Sequence, residues 1–156
     1  MKLSEHVNEL RNRIEAAFDK YLAINGIGVK QSSAPAGDDK RRKWQRFDAM
    51  LRSHQGETGD FASARLKLLD ELTFTLFNRF AAIKVMEAAS MFPPIMTRMV
   101  EHGGRSFGHK AWLEINPDMR GEDLEGIREY IKQAFDELGE TLPLYHRSYP
   151  YAFLPD

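Results

Sequence analysis

Apolar residues recur at helical spacing along most of the chain, and no run alternates as a strand would. Val7, Leu10, Ile14, Ala17, Phe18, Tyr21 and Leu22 mark a first helix, which Ser4 is placed to cap and Asn25-Gly26 to stop in a left-handed turn. Residues 26 to 38, with Gly26, Gly28, Ser32, Ser33, Pro35 and Gly37, read as a flexible linker whose small and polar side chains bury too little surface to order it. Asp38 or Asp39 then opens a second helix. It runs through Trp44, Phe47, Met50 and Leu51 to about His54, before Gly56 and Gly59 break it. Asp60 is placed to cap a long third helix from about Phe61 to Ala89, on the order of 45 Å at 1.5 Å per residue.

The second half of that third helix is apolar on every side yet carries Asn78 and Arg79. At about 100° per residue, Arg79 shares a stripe with Leu72, Leu76, Ile83 and Met86, while Asn78 lies in line with Phe74, Ala81 and Val85. Both polar side chains are therefore expected to be buried and structural. A guanidinium taken out of water must find carboxylate or carbonyl acceptors.

Beyond it, Pro93-Pro94 closes the region, and Ile95 to Glu101 reads as a short fourth helix stopped by Gly103-Gly104. Periodicity fails from Arg105 to Arg120, which is expected to be a packed loop with one short turn at most. Gly121 to Leu138 is a clear amphipathic helix: Leu124, Ile127, Tyr130, Ile131, Ala134, Phe135 and Leu138 form one face, Glu122 and Asp123 favour its positive end, and Gly139 stops it. Pro143, Pro150 and Pro155 predict an extended tail. The expected fold is all-α: about five helices packed around the long one at roughly 61–89, in a single domain over 1–156, with the first helix (1–25) joined to the rest by the linker.

Composition narrows the functional classes. Lysine plus arginine (22) nearly balance aspartate plus glutamate (23), so no global field draws the chain onto nucleic acid or an anionic membrane, and any such binding is local. The absence of cysteine excludes disulfides, thiolate zinc sites and thiol nucleophiles, and suits a reducing cytosol. No segment approaches an uninterrupted transmembrane span, and the N-terminus lacks the apolar run of a secretory signal. A soluble cytoplasmic protein is expected.

Candidate chemistry is sparse. Lys40, Arg41, Arg42, Lys43, Arg46 and Arg52 surround Trp44 with Asp48 as the single acid. This segment suits phosphate contacts, although Trp44, Phe47 and Leu51 fall on one side of a helix, which makes a solvated face the simpler reading. The histidines at 6, 54, 102, 109 and 146 lie far apart and lack the i, i+4 pairing of helical zinc enzymes, so no metal site is expected. The stretch from His102 to His109 has glycines and an arginine suited to an anion, but no phosphate-loop lysine followed by serine or threonine, and an irregular loop is favoured over a ligand site. Asn116-Pro117-Asp118-Met119 lacks the second proline and the aromatic ring of an amino-methyltransferase loop and reads as a turn. No nucleophile, base and acid assemble into a set, and no glycine-rich loop follows a strand to hold a nucleoside cofactor.

The stretch from Leu76 to Glu87 resembles the "WFNRFxALRYME" helix near the start of large adenine-specific DNA methyltransferases, the PglX-type enzymes of BREX phage-defence systems and related restriction-modification methylases. Phe77, Asn78, Arg79, Phe80, Met86 and Glu87 fall in step with it. Leu144 to Asp156 is similar to the "LFDxxDPYxxLLP" region that follows the first helices of that family, so the resemblance covers about Leu66 to Asp156. It implies the N-terminal helical part of a larger prokaryotic enzyme that methylates adenine in DNA from S-adenosylmethionine. In that family the cofactor-binding sheet and the Asn-Pro-Pro-Tyr loop lie downstream, so no catalytic or cofactor residue carries over and no cofactor is expected in this chain. The implied partners are the downstream methyltransferase domain or partner subunits, with an oligomer open and no membrane; the six basic residues at 40–52, which the resemblance does not reach, are the positions expected from their charge to touch DNA. The alternative is a free-standing helical protein interaction module without nucleic acid, using Phe92, Met96, Met99 and Tyr149.

Overall fold

The computed structural model describes residues 2–156. Among these residues five α-helices carry the fold: α1 (Leu3–Ile24), α2 (Asp38–Thr58), α3 (Phe61–Ala88), α4 (Phe107–Ile115) and α5 (Ile127–Gly139). Two short strands, β1 (Arg98–Met99) and β2 (Arg105–Ser106), pair antiparallel, Arg98 opposite Ser106 and Met99 opposite Arg105. The fold is all-α. Among the described residues no helix is long and apolar enough to cross a membrane.

The chain divides into two compact units, one of residues up to Phe77 with Pro155–Asp156, the other Asn78–Leu154. The core of the first unit comes from helical stripes: Ile14, Phe18, Tyr21 and Leu22 of α1, Phe47 and Leu51 of α2, and Leu68, Leu69, Leu72 and Leu76 of α3. Each such side chain contributes about 1.5–3 kcal/mol by leaving water. Tyr21 meets Phe47 edge to face at 5.9 Å. The α1 stripe is buried only in its C-terminal half, since Val7 and Leu10 stay 39% and 40% exposed. Ser4 lies inside α1 and not at its cap; the Glu5 carboxylate reaches back to accept the Lys2 N–H at 2.8 Å. Asp60 does cap α3, accepting from the Ser63 amide and hydroxyl, both at 2.8 Å.

Residues 26–38 are tied down. Ile27 is fully buried, bridges to Ser32, and accepts from Arg65 through its carbonyl, while Ser33 donates to the Gly26 carbonyl. Composition misleads here because one buried isoleucine and one buried arginine anchor an otherwise small and polar segment. Gly26 has φ +94°, and a Cβ there would sit 2.3 Å from the Ser33 carbonyl oxygen, so only glycine fits.

In the second unit the aromatic core joins Phe135 to Phe80 (5.8 Å) and Tyr145 (5.5 Å), and stacks His109 on Tyr130 at 5.2 Å beside Trp112. Ile95 to Glu101 is not a helix. Its backbone groups are claimed by distant side chains: the Glu87 carboxylate accepts from the Met96 amide at 2.5 Å and the Thr97 hydroxyl at 2.6 Å, and Tyr130 Oη donates to the Ile95 carbonyl at 3.0 Å. The expected loop after Arg105 instead contains α4, capped by Ser106, whose Oγ accepts from the His109 amide at 3.0 Å. The last helix starts at Ile127 and not near Gly121, because Leu124, Glu125 and Gly126 have φ of 48°, 56° and 66° and form a left-handed turn. The tail folds back through a helical turn at Pro143–Tyr145, and Phe153 is buried, so it is extended only at its end.

Candidate functional site

Three places answer to the sequence-derived candidates. In α2, Trp44, Phe47 and Leu51 share one side, and about 100° per residue puts Arg42 and Arg46 opposite them with Arg41 and Arg52 on one flank. Lys40, Arg41, Arg42, Arg46 and Arg52 are exposed and Lys43 is half-buried. The six charges thus ring the helix and do not form one stripe. Within the helix Arg52 pairs with Asp48 at 2.8 Å and Lys43 with Asp39 at 3.3 Å. Burial alone would lower the Lys43 ammonium, but Tyr21 and Asp39 outweigh it and hold it above the usual lysine range. Trp44 is an anchor: its indole N–H donates to Ser32 Oγ at 2.9 Å, and that hydroxyl donates to Asp48 at 2.7 Å.

The second place is Arg79, 5% exposed. Its Nε donates to the Leu144 carbonyl at 2.8 Å and Nη2 to the His146 carbonyl at 3.3 Å, while Tyr145 Oη donates back to the Arg79 carbonyl at 2.6 Å. The guanidinium lies 5.3 Å from the Phe135 ring centroid and 5.8 Å from that of Tyr145. Burial lowers its pKa, and Tyr145 works against that shift. Asn78, expected to be buried with it, is half-buried, and its stripe-mates Phe74 and Val85 are 59% and 69% exposed. The helix is apolar all round by composition, but one line of it faces water.

The third place is a cleft of about 470 Å³ in the second unit. Phe80, Ile95, Met96, Ile127 and Ile131 form its apolar floor, and Arg98, Arg105, Ser106, His109 and Glu125 its polar walls. Arg105 grips Glu125 bidentately, Nε to Oε2 at 2.6 Å and Nη2 to Oε1 at 2.8 Å. That hydrogen bonding holds the Glu125 carboxyl below the usual range and raises Arg105 correspondingly. His109 Nε2 lies 2.9 Å from the Glu125 carbonyl oxygen; a carbonyl only accepts, so this nitrogen carries a proton. The glycine-arginine stretch from His102 to His109 therefore lines a concave site, where the sequence favoured an irregular loop. Arg98 and Glu125 carried no sequence signal, and nothing in the sequence joined the apolar residues into one site, because they come from segments far apart along the chain.

Other candidates stay apart. His6 and His146 are exposed and His54 is buried, and among the described residues no three His, Asp or Glu side chains gather as a metal site. Asn116 ends α4, its side chain donating to the Trp112 carbonyl at 3.0 Å, and Pro117 opens the turn that follows. The chain matches no protein-family model, no curated protein and no solved structure.

Proposed function

We propose that this chain is a non-catalytic helical domain of a prokaryotic, cytoplasmic adenine-specific DNA methyltransferase in phage defence or restriction-modification, supporting its assembly or its recognition of DNA. One observation carries the reading. The two segments that bear the resemblance, 76–87 and 144–156, are locked to each other through Arg79, Tyr145 and the carbonyls of Leu144 and His146. Paired motifs that hold each other in place act as architecture, which is the part this region plays in such an enzyme. The strands among the described residues are two residues each, too short to present a nucleoside-binding sheet end. Under this reading the cofactor and the chemistry belong to the downstream domain.

DNA contact falls to the exposed ring on α2. Replacing Lys40, Arg41, Arg42 and Arg46 by glutamine should flatten the log K against log[salt] slope for duplex DNA by about 3–4 if all four meet phosphate. Unchanged affinity and slope would remove α2 from the account. The affiliation itself is tested by the genome: an Asn-Pro-Pro-aromatic loop is expected in the frame beyond Asp156 or in a subunit that co-purifies, and finding neither would sink it.

A second reading, a helical interaction module without nucleic acid, has one observation in its favour. Leu3, Val7 and Leu10 line one face of α1 at 80%, 39% and 40% exposure. The apolar residues first expected to serve this role are mostly withdrawn, with Phe92, Met96 and Met99 half-buried and Tyr149 37% exposed. Mass in solution that rises with concentration, and no DNA binding, would favour this module.

A further inference from the structure

We propose that the cleft between the β1–β2 hairpin and the left-handed turn at 124–126 binds a small organic monoanion, an apolar carboxylic acid whose carboxylate sits on Arg98. The inference does not depend on the methyltransferase reading. At about 470 Å³ the cleft is in the size range of small-ligand sites, and its lining combines apolar residues with a few polar groups. Water over Phe80, Ile95, Met96, Ile127 and Ile131 is displaced at a gain by an aryl or alkyl group.

Charge fixes the other end of the ligand. The charged residues of the lining are Arg98, Arg105 and Glu125. Arg105 and Glu125 neutralise each other in a bidentate pair, which leaves Arg98, an exposed side chain, as the uncompensated charge among the described residues of the lining. A monoanion balances it. A dianion such as a phosphate monoester leaves one charge over.

The turn at 124–126 that lines the cleft is strained. Left-handed backbone costs about 1–2 kcal/mol for each non-glycine residue, and Leu124 and Glu125 both adopt it. Burial does not compel this at Leu124, which is 72% exposed. The turn is held by Arg105 on the Glu125 side chain and by His109 on its carbonyl, both cleft residues. Such strain, fixed by the groups that line a cavity, is typical of ligand clamps.

The probe is 3-phenylpropionate, titrated into the full isotope-labelled chain while amide chemical shifts are followed by NMR. Saturable shifts are expected at Gly103, Gly104, Ser106 and Ile127. The neutral 3-phenylpropanol should bind about tenfold more weakly, because it forgoes the charge-assisted hydrogen bond, and phenyl phosphate should also bind more weakly than the acid. Arg98→Gln should weaken the acid about tenfold while leaving the alcohol unchanged, and Arg98→Lys should restore part of the loss. An unperturbed amide spectrum away from the cleft shows that the variants are folded. The proposal is overturned by an absence of saturable shifts up to the solubility of the acid, by equal binding of acid and alcohol, or by an Arg98→Gln protein that binds the acid as well as the parent.

Discussion

Each unit buries one arginine of α3, and the two are satisfied in opposite ways. Arg65, 7% exposed, donates to the Asp19 carboxylate at 2.7 Å and reaches the Ile27 and Asp19 carbonyls at 3.3 Å. Arg79 has carbonyls and aromatic faces around it, and among the described residues no carboxylate is within bonding distance, Asp136 acting on it only from farther off. The difference reflects what each unit must hold. Three long helices satisfy their own backbone, so the first unit needs only apolar stripes and a tether for one loop. The second unit has much irregular chain whose carbonyls and amides need partners, and side chains supply them: Arg79 to residues 144 and 146, Tyr130 to 95, Glu87 to 96, Arg128 to 154.

The sharpest way to break that comparison is to disturb a single atom's worth of space in the second unit. A Cβ on Gly108 would lie 2.1 Å from Tyr130 Oη and 3.4 Å from the Pro94 carbonyl oxygen, so Gly108→Ala must displace the tyrosine that holds Ile95. Overpacking together with the lost hydrogen bond should cost about 3 kcal/mol or more. The two tryptophans report separately, Trp44 in the first unit and Trp112 in the second. In a Trp44→Phe background the Trp112 fluorescence midpoint in urea should fall steeply; a shift below about 1 kcal/mol would mean that Tyr130 is not a strut.

Next in size is the exchange of each arginine for methionine. Arg79→Met deprives two part-buried carbonyls of their donor and should cost about 2–4 kcal/mol, with Arg79→Lys intermediate because an ammonium cannot span both acceptors while lying on two rings. Arg65→Met should cost about 1–3 kcal/mol, since the Asp19 side chain is 52% exposed and returns to water. Salt separates the two. Raising ionic strength should shrink the Arg65 effect, which includes a partly exposed ion pair, and leave the Arg79 effect nearly constant. A salt-sensitive Arg79 would contradict an account in which carbonyls and ring faces hold the guanidinium.

The same contrast explains what the sequence disclosed. α1, α2, α3 and α5 were legible because each buries a stripe at helical spacing, and Asp60 and Asn25 sit where their end signals placed them. α4 was missed because nine residues with Ile115 81% exposed leave no period to read, although Ser106 was a usable cap signal. The Ile95–Glu101 segment failed for another reason: its backbone is taken by Glu87 and Tyr130, and such long-range claims leave no local trace. The burial of Arg79 followed from its stripe, while its acceptors 65 and 67 residues away did not. The cleft was least legible, since it is assembled from chain between Phe80 and Ile131 and framed by a left-handed Leu-Glu pair that local sequence does not announce.

Alkaline pH should also separate the units. Tyr130 and Tyr145 are buried at 6% and 2% exposure, and burial pushes each hydroxyl up to about 12. Unfolded, they ionise near 10, so their contribution is intact below that pH and is lost as pH rises from about 10 to 12, about 2–3 kcal/mol for each. Both belong to the second unit. Trp112 fluorescence should therefore report unfolding at lower pH than Trp44 fluorescence, and Tyr145→Phe should reduce the slope of stability against pH by about half. Loss of the Trp44 signal first would reverse the assignment.

The smallest effect lies in the first unit and has the opposite sign. Gly56 sits within α2, and a Cβ there would meet nothing within 4 Å. Its backbone has no positive φ to protect, so Gly56→Ala removes only the conformational freedom that glycine loses on folding. The substitution should stabilise the chain by about 0.5–1 kcal/mol, read from the urea midpoint of Trp44 fluorescence. Set against the loss expected at Gly108, it shows what kind of order each unit depends on: a helix that satisfies its own backbone gains from a better helix former, whereas chain held by a tyrosine passing over a bare Cα cannot accept a single methyl. A destabilising Gly56→Ala would mean that α2 has an unseen constraint at that point and that the first unit is less self-sufficient than its stripes imply.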